Sequence, residues 1–210
     1  LSESNESGDR GGAYLAIGNM GGTYQVLGAY DRALECFQRA TVEHRAIGFR
    51  KGLAHWLLGT GEVLVELARK GGEMPVFLSE YLPNITGDLW QSMAIAHART
   101  CAEECIAISD ELSKTDTQFY GGVLLSKVEA AEGNREAALE RLTGLFENGI
   151  GDEESAELHF QLWKLGATDV EDSPRRADHR AEALRLYQSL VEKIPKQEYR
   201  TRIEQLGRTH

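Results

Sequence analysis

Residues 17–40, IGNMGGTYQVLGAYDRALECFQRA, read as two short helices joined by a tight turn. On the first, Ile17, Met20, Gly21, Tyr24 and Leu27 recur at steps of three and four, the spacing of one helical face. Gly28 breaks the run. Ala33, Leu34, Phe37 and Ala40 then repeat the spacing on a second helix. Gly21 and Ala33 fall where two antiparallel helices must nearly touch, with Tyr24 and Phe37 filling the space beside them. A hairpin this small cannot bury its own apolar face, so it needs neighbours of the same kind.

The rest of the chain supplies them by internal repetition. Gly8-Asp9-Arg10-Gly11-Gly12 matches Gly48-Phe49-Arg50-Lys51-Gly52 at a shift of 40 residues, which also carries Ile17 onto Leu57, Gly21 onto Gly61 and Tyr24 onto Leu64. The register is lost after Ala68 and resumes at a shift of 65, with Ala98, Ala102 and Cys105 in the roles of Ala33, Phe37 and Ala40. Residues 133–142 echo residues 28–37, and a fourth unit begins near Asp152, its Leu158, Leu162, Leu165 and Gly166 following the first helix of the third at a shift of 33. Its partner helix is marked by Ala183, Leu184, Tyr187 and Leu190 and stopped by Pro195. The segments are therefore 1–7, the end of an earlier repeat; 8–47, the first repeat; and 48–112, the second, carrying an insertion at 69–93. The third repeat is 113–151, the fourth 152–195, and a capping helix at 196–210 is built on Tyr199, Ile203 and Leu206. No alternating run suggests a strand, so the expectation is one all-α domain over 1–210. The chain begins at Leu1 rather than Met, which reads as a piece of something longer.

Composition excludes several classes. No run of about eighteen apolar residues and no signal-peptide pattern points to a membrane. Three cysteines without framework spacing predict reduced thiols and a cytoplasmic protein. A net charge of −10 argues against a nucleic-acid partner. Residues 175–210 carry nine Lys/Arg against five Asp/Glu, a basic end on an acidic body, read here as a solvated face.

The pattern Gly-x-x-Tyr, a turn Gly, then Ala-x-x-x-Phe-x-x-Ala at 21–40 resembles the tetratricopeptide repeat in a version of roughly 40 residues. The closing segment, residues 156–206, is similar to the C-terminal ends of larger bacterial signalling proteins. The resemblance implies a right-handed superhelical array of antiparallel helix pairs whose concave groove binds a peptide or partner protein. It also implies a scaffold or regulatory role, without catalysis or cofactor, in a monomer or weak dimer. The alternative is a small-ligand-sensing regulatory domain of a signalling enzyme or transcriptional regulator, with the insertion as a lid.

Catalytic motifs are missing: no phosphate-binding G-x-x-x-x-G-K-[ST], no H-E-x-x-H and no G-x-S-x-G occurs. His97, Cys101 and Cys105 share one helical face, but two turns separate the outer pair by about 12 Å, too far for one metal ion. The cysteines read as buried small hydrophobes, with no metal site. Candidate binding residues come from the implied groove. The first helix of each pair would present Leu15, Gly18, Asn19, Gly22 and Gln25; then His55, Leu58, Glu62 and Val65. The third and fourth pairs would add Tyr120, Val123, Lys127 and Ala130, and Glu153, Ala156, Phe160 and Trp163. Asn19 and Gln25 would bond a peptide backbone, with Tyr120, Phe160 and Trp163 as apolar anchors.

The insertion carries ten large apolar residues and is too apolar to stay in water. Pro75 predicts a short helix to Leu82, Pro83-Asn84 its stop, and Asp88 the cap of a long helix reaching about Leu112. Phe77, Tyr81 and Trp90 would dock into the groove between the second and third units, or contact another chain.

Overall fold

The computed structural model describes residues 2–82, 89–146, 150–166 and 174–208, with side chains from residue 12 and, in the last stretch, from residue 176. Every regular element among them is a helix. The chain forms two compact units, residues 1–132 and 133–210, each with its own apolar core.

The first unit holds α1 (Ser2–Val26), α2 (Tyr30–Ala46), α3 (Arg50–Lys70), the short α4 (Leu78–Tyr81), α5 (Trp90–Leu112) and α6 (Thr115–Ala131). Helix α1 pairs with α2 and α3 with α5, while α3 also packs on α1, α2 and α6. Gly28 and Gly48 end α1 and α2 in the left-handed region, φ +74° and +69°, which glycine enters without a Cβ penalty. The chain then folds back at once: the Ala29 amide donates to the Tyr24 carbonyl at 2.9 Å, and the Phe49 amide to that of His44 at 2.8 Å.

Glycines also set how closely the helices approach. A Cβ on Gly21 would lie 2.8 Å from the Phe37 ring, one on Gly61 would lie 2.6 Å from Leu124, and one on Gly18 would overlap the Trp56 indole. Ala33 and Ala40 are fully buried beside Phe37. Trp56 stacks near Phe37, ring centroids 6.2 Å apart, and its N–H donates to His44 Nδ1 at 2.8 Å. That bond leaves Nδ1 as the acceptor and ties α2 to α3 inside the core.

Three expectations change. Met20 and Leu27 are 50% and 72% exposed, because only the Ile17–Gly21–Tyr24 side of α1 meets α2. The break expected at residues 8–12 is helical: α1 runs unbroken from Ser2 to Val26. The insertion is ordered where described, but it lies on α2 and not in the groove. Leu78, Leu82 and Trp90 are buried in the core around Leu34 and Phe37, with Met74, Phe77 and Tyr81 packed against it. The Trp90 indole donates to the Gly72 carbonyl at 3.3 Å. Apolar side chains gain more against that core than over the polar groups described below. The stop at Pro83-Asn84 and the cap at Asp88 lie outside the described residues.

The second unit holds α7 (Arg135–Leu145), α8 (Asp152–Gly166), α9 (Pro174–Lys193) and the capping helix α10 (Gln197–Gly207). Ala156, Phe160, Ala183, Tyr187, Leu190, Tyr199 and Leu206 form its core. A carboxylate lies inside it. Glu157, 7% exposed, accepts from Tyr187 Oη at 2.7 Å, Gln161 Nε2 at 2.5 Å and Arg202 Nη2 at 3.2 Å. Burial and this carboxylate both push the Tyr187 phenol upward, so it stays a donor. Arg180 Nε donates to the Leu206 carbonyl at 2.8 Å, seating the end of α10.

Two substitutions test this packing. Ala33→Leu overfills the α1–α2 contact and is expected to cost about 1–3 kcal/mol in chemical denaturation; an unchanged midpoint would mean the pairing is misassigned. Tyr187→Phe strips one donor from a buried carboxylate and is expected to cost about 1.5–3 kcal/mol. A urea titration that fails to separate it from the parent chain would show that Glu157 needs no phenol.

Candidate functional site

Gln25, Glu62 and Lys127 lie on α1, α3 and α6, separated by 37 and 65 residues, yet they form one hydrogen-bonded line. Gln25 Nε2 donates to Glu62 Oε2 at 3.0 Å, and Lys127 Nζ donates to Glu62 Oε1 at 3.0 Å. Helix α3 thereby lies between α1 and α6 along this line. The Glu62 and Lys127 side chains keep only 32% and 19% of their exposure, so their attraction is screened less than that of a surface pair.

This line is the floor of a polar face. His55 and Tyr120 each sit seven residues before Glu62 and Lys127, two turns along the same stripe. The His55 ring is exposed at its edge and meets Trp56 edge-on at 5.3 Å. Desolvation by the surrounding helices holds its pKa below the usual histidine value, with Asp116 opposing, so the imidazole is neutral at neutral pH. Tyr120 is half-buried against Phe119, centroids 5.0 Å apart. On α1, a Cβ on Gly22 would touch nothing within 4 Å, which leaves open space above the backbone one turn before Gln25. Asn19 is exposed, roughly a third of a turn off the Gln25 stripe.

Other expected groove positions are taken up by packing. Gly18 is covered by Trp56, because α1 crosses α3 at that point. Val65 and Val123 are 1% exposed and belong to the interior. Phe160 is corrected from binding anchor to core residue: it is fully buried in the second unit, with the Arg202 guanidinium 4.4 Å above its ring. Helix α10 folds over it, and the cation seals the remaining face. Ala156 is buried in the same core, and Trp163 is half-buried beside Phe160, centroids 5.7 Å apart.

Cys101 and Cys105 are buried beside Leu53 and Leu57, and burial pushes their thiols up to about 12 and about 11. Such thiols carry no thiolate at neutral pH and pack as small hydrophobes. His97, one turn before Cys101 on the same helix, is exposed. Among the described residues no three His, Cys, Asp or Glu side chains converge as metal ligands, and no helix is long and apolar enough to cross a membrane. A shallow cavity of about 300 Å³ between α1 and α2 is lined by Tyr14, Gln38, Arg39, Val42 and Glu43, none of them expected from the repeat pattern.

Sequence reading missed the polar cluster around Glu157. Its signal is a Glu–Gln pair at i and i+4 set among Ala156, Leu158 and Phe160, a charge where the helical pattern calls for core.

No family model matches the chain, and no curated protein matches it. Among solved structures, a thermophilic TPR protein of Thermus thermophilus is similar at a TM-score of 0.43 and 15% identity, covering 92% of this chain and 98% of that one.

The ladder itself is open to a double-mutant cycle. Glu62→Gln and Lys127→Met are expected to couple by roughly 0.5–1 kcal/mol, above the near-zero value usual for exposed pairs. Strict additivity would mean that the contact contributes nothing to stability.

Proposed function

We propose that the first unit is a protein-interaction module whose α1–α3–α6 face receives an extended peptide segment of a partner protein. The observation that carries this reading is the Gln25–Glu62–Lys127 line, which links α1, α3 and α6. It leaves Asn19, Gly22, His55 and Tyr120 accessible in part or in full. The floor is polar and keeps hydrogen-bonding capacity beyond the two bonds that build it, so a ligand gains by matching it with backbone N–H and C=O groups. Tyr120 supplies the apolar contact and neutral His55 either donates or accepts. On this reading the module is a scaffold or regulatory part of a larger cytoplasmic signalling protein, and it does no chemistry of its own. Seating of the insertion on α2 favours an open face over a lidded small-molecule pocket.

Selection of displayed peptides on the intact chain tests it. Bound peptides are expected to lose about tenfold in affinity, the cost of a modest interface contact, on Tyr120→Ala or Asn19→Ala. They should keep it on Gln38→Ala at the α2 cavity. Selected peptides indifferent to Asn19, His55 and Tyr120 would place the binding surface elsewhere.

A further inference from the structure

His159 on α8 and His179 on α9 face each other with their Nδ1 atoms 2.8 Å apart. Their ring centroids are 5.0 Å apart, and the Phe146 ring just past α7 meets His159 edge-on at 5.2 Å. Both are half-buried. The charged groups acting on the pair come from α9: Glu182 and Arg185 on His159, and Asp178 on His179. Glu182 is itself held by Arg185, at 2.9 and 2.6 Å. The end of α7 contributes the phenyl ring.

A hydrogen bond between two Nδ1 atoms requires one N–H and one bare lone pair. A neutral pair meets that condition, and so does a pair sharing one extra proton. A second proton sets two N–H groups and two positive charges against each other across 2.8 Å. We propose that His159 and His179 form a proton-operated clasp between α8 and α9, closed near neutral pH and released in mild acid. The second unit is thereby pH-responsive through this joint.

The electrostatics run the same way. Burial lowers the pKa of both rings, and His179 lowers that of His159 further, with Glu182 and Asp178 opposing. A folded-state pKa below the unfolded value means that the unfolded chain binds more protons. The stabilisation is therefore complete above the ordinary histidine value of about 6.5 and is lost as pH falls below it. A metal reading is weaker, because the rings supply two donors and the Glu182 carboxylate is engaged by Arg185.

Hydrogen exchange on the full chain, corrected for intrinsic pH dependence, reads the clasp locally. From about pH 7.5 to about pH 5, amides of α8 and α9 are expected to lose protection by about tenfold, because the unfolded chain takes up more protons than the folded one. In His179→Gln, whose amide can bond His159 without taking a charge, the loss should shrink to less than about threefold. An equal loss in both chains overturns the proposal. Side-chain ¹⁵N spectra give a second test that needs no variant. One Nδ1 donor and one Nδ1 acceptor with coupled titrations support the clasp, whereas two rings titrating independently near the ordinary value refute it. If Zn²⁺ protects the parent chain and not the variant, the pair is a metal site and the clasp reading fails.

Discussion

Helix α3 is packed on by α1, α2, α5 and α6, and the first unit depends on how closely those four can approach it. Gly52, Gly59 and Gly61 make that approach possible, since a Cβ at any of them would meet His44, Phe37 or Leu124 within 3 Å. Each glycine costs a helix about 1 kcal/mol relative to alanine, so α3 gives up about 3 kcal/mol of intrinsic propensity. In return Trp56, Leu57, Val63, Leu64 and Val65 are all nearly or fully buried. At about 1.5–3 kcal/mol for each large apolar side chain, burial outweighs the loss severalfold. An α3 of better helix formers would be more helical alone and less able to sit at the centre.

The second unit solves its packing with charge. Glu157 and Arg202 are taken largely out of water, and their attraction must offset a desolvation cost of several kcal/mol per ion. It does so only because Tyr187, Gln161 and the Phe160 ring complete the set. Such a cluster adds little net stability over an apolar one, but it accepts α10 in a single seating, since a shift of one turn would leave both charges unpaired. The exposed pairs Arg45–Glu104 and Arg99–Glu132 lack that consequence, because water can replace either partner.

Function on the first unit is proposed for the side where packing is finished. The Gln25–Glu62–Lys127 line holds its side chains to one another, and α4 lies on α2. A ligand there has no large apolar patch to cover. Recognition must come from matched hydrogen bonds and a few contacts such as Tyr120. Specificity is then expected to exceed raw affinity, as for any site that penalises an unmatched polar group.

By itself the sequence determined the helical class, the α1–α2 pairing and much of the register. Apolar spacing of three and four marks α2 and α3, Gly28 and Gly48 mark turns, and the shift of 65 residues carries Glu62 onto Lys127. These features are legible because helix period and turn chemistry are local. Only the tertiary structure decided which of two plausible faces each side chain occupies. Phe160 and Gly18 read as groove positions until α10 covers one and Trp56 the other. The insertion's apolar residues predict burial, yet nothing local says that α2 provides it. Glu157 with Arg202, and His159 with His179, meet across 45 and 20 residues with no periodic signature. Such pairs depend on where whole helices come to rest, and that is set by the sum of many apolar contacts rather than by any one residue's neighbours in the chain.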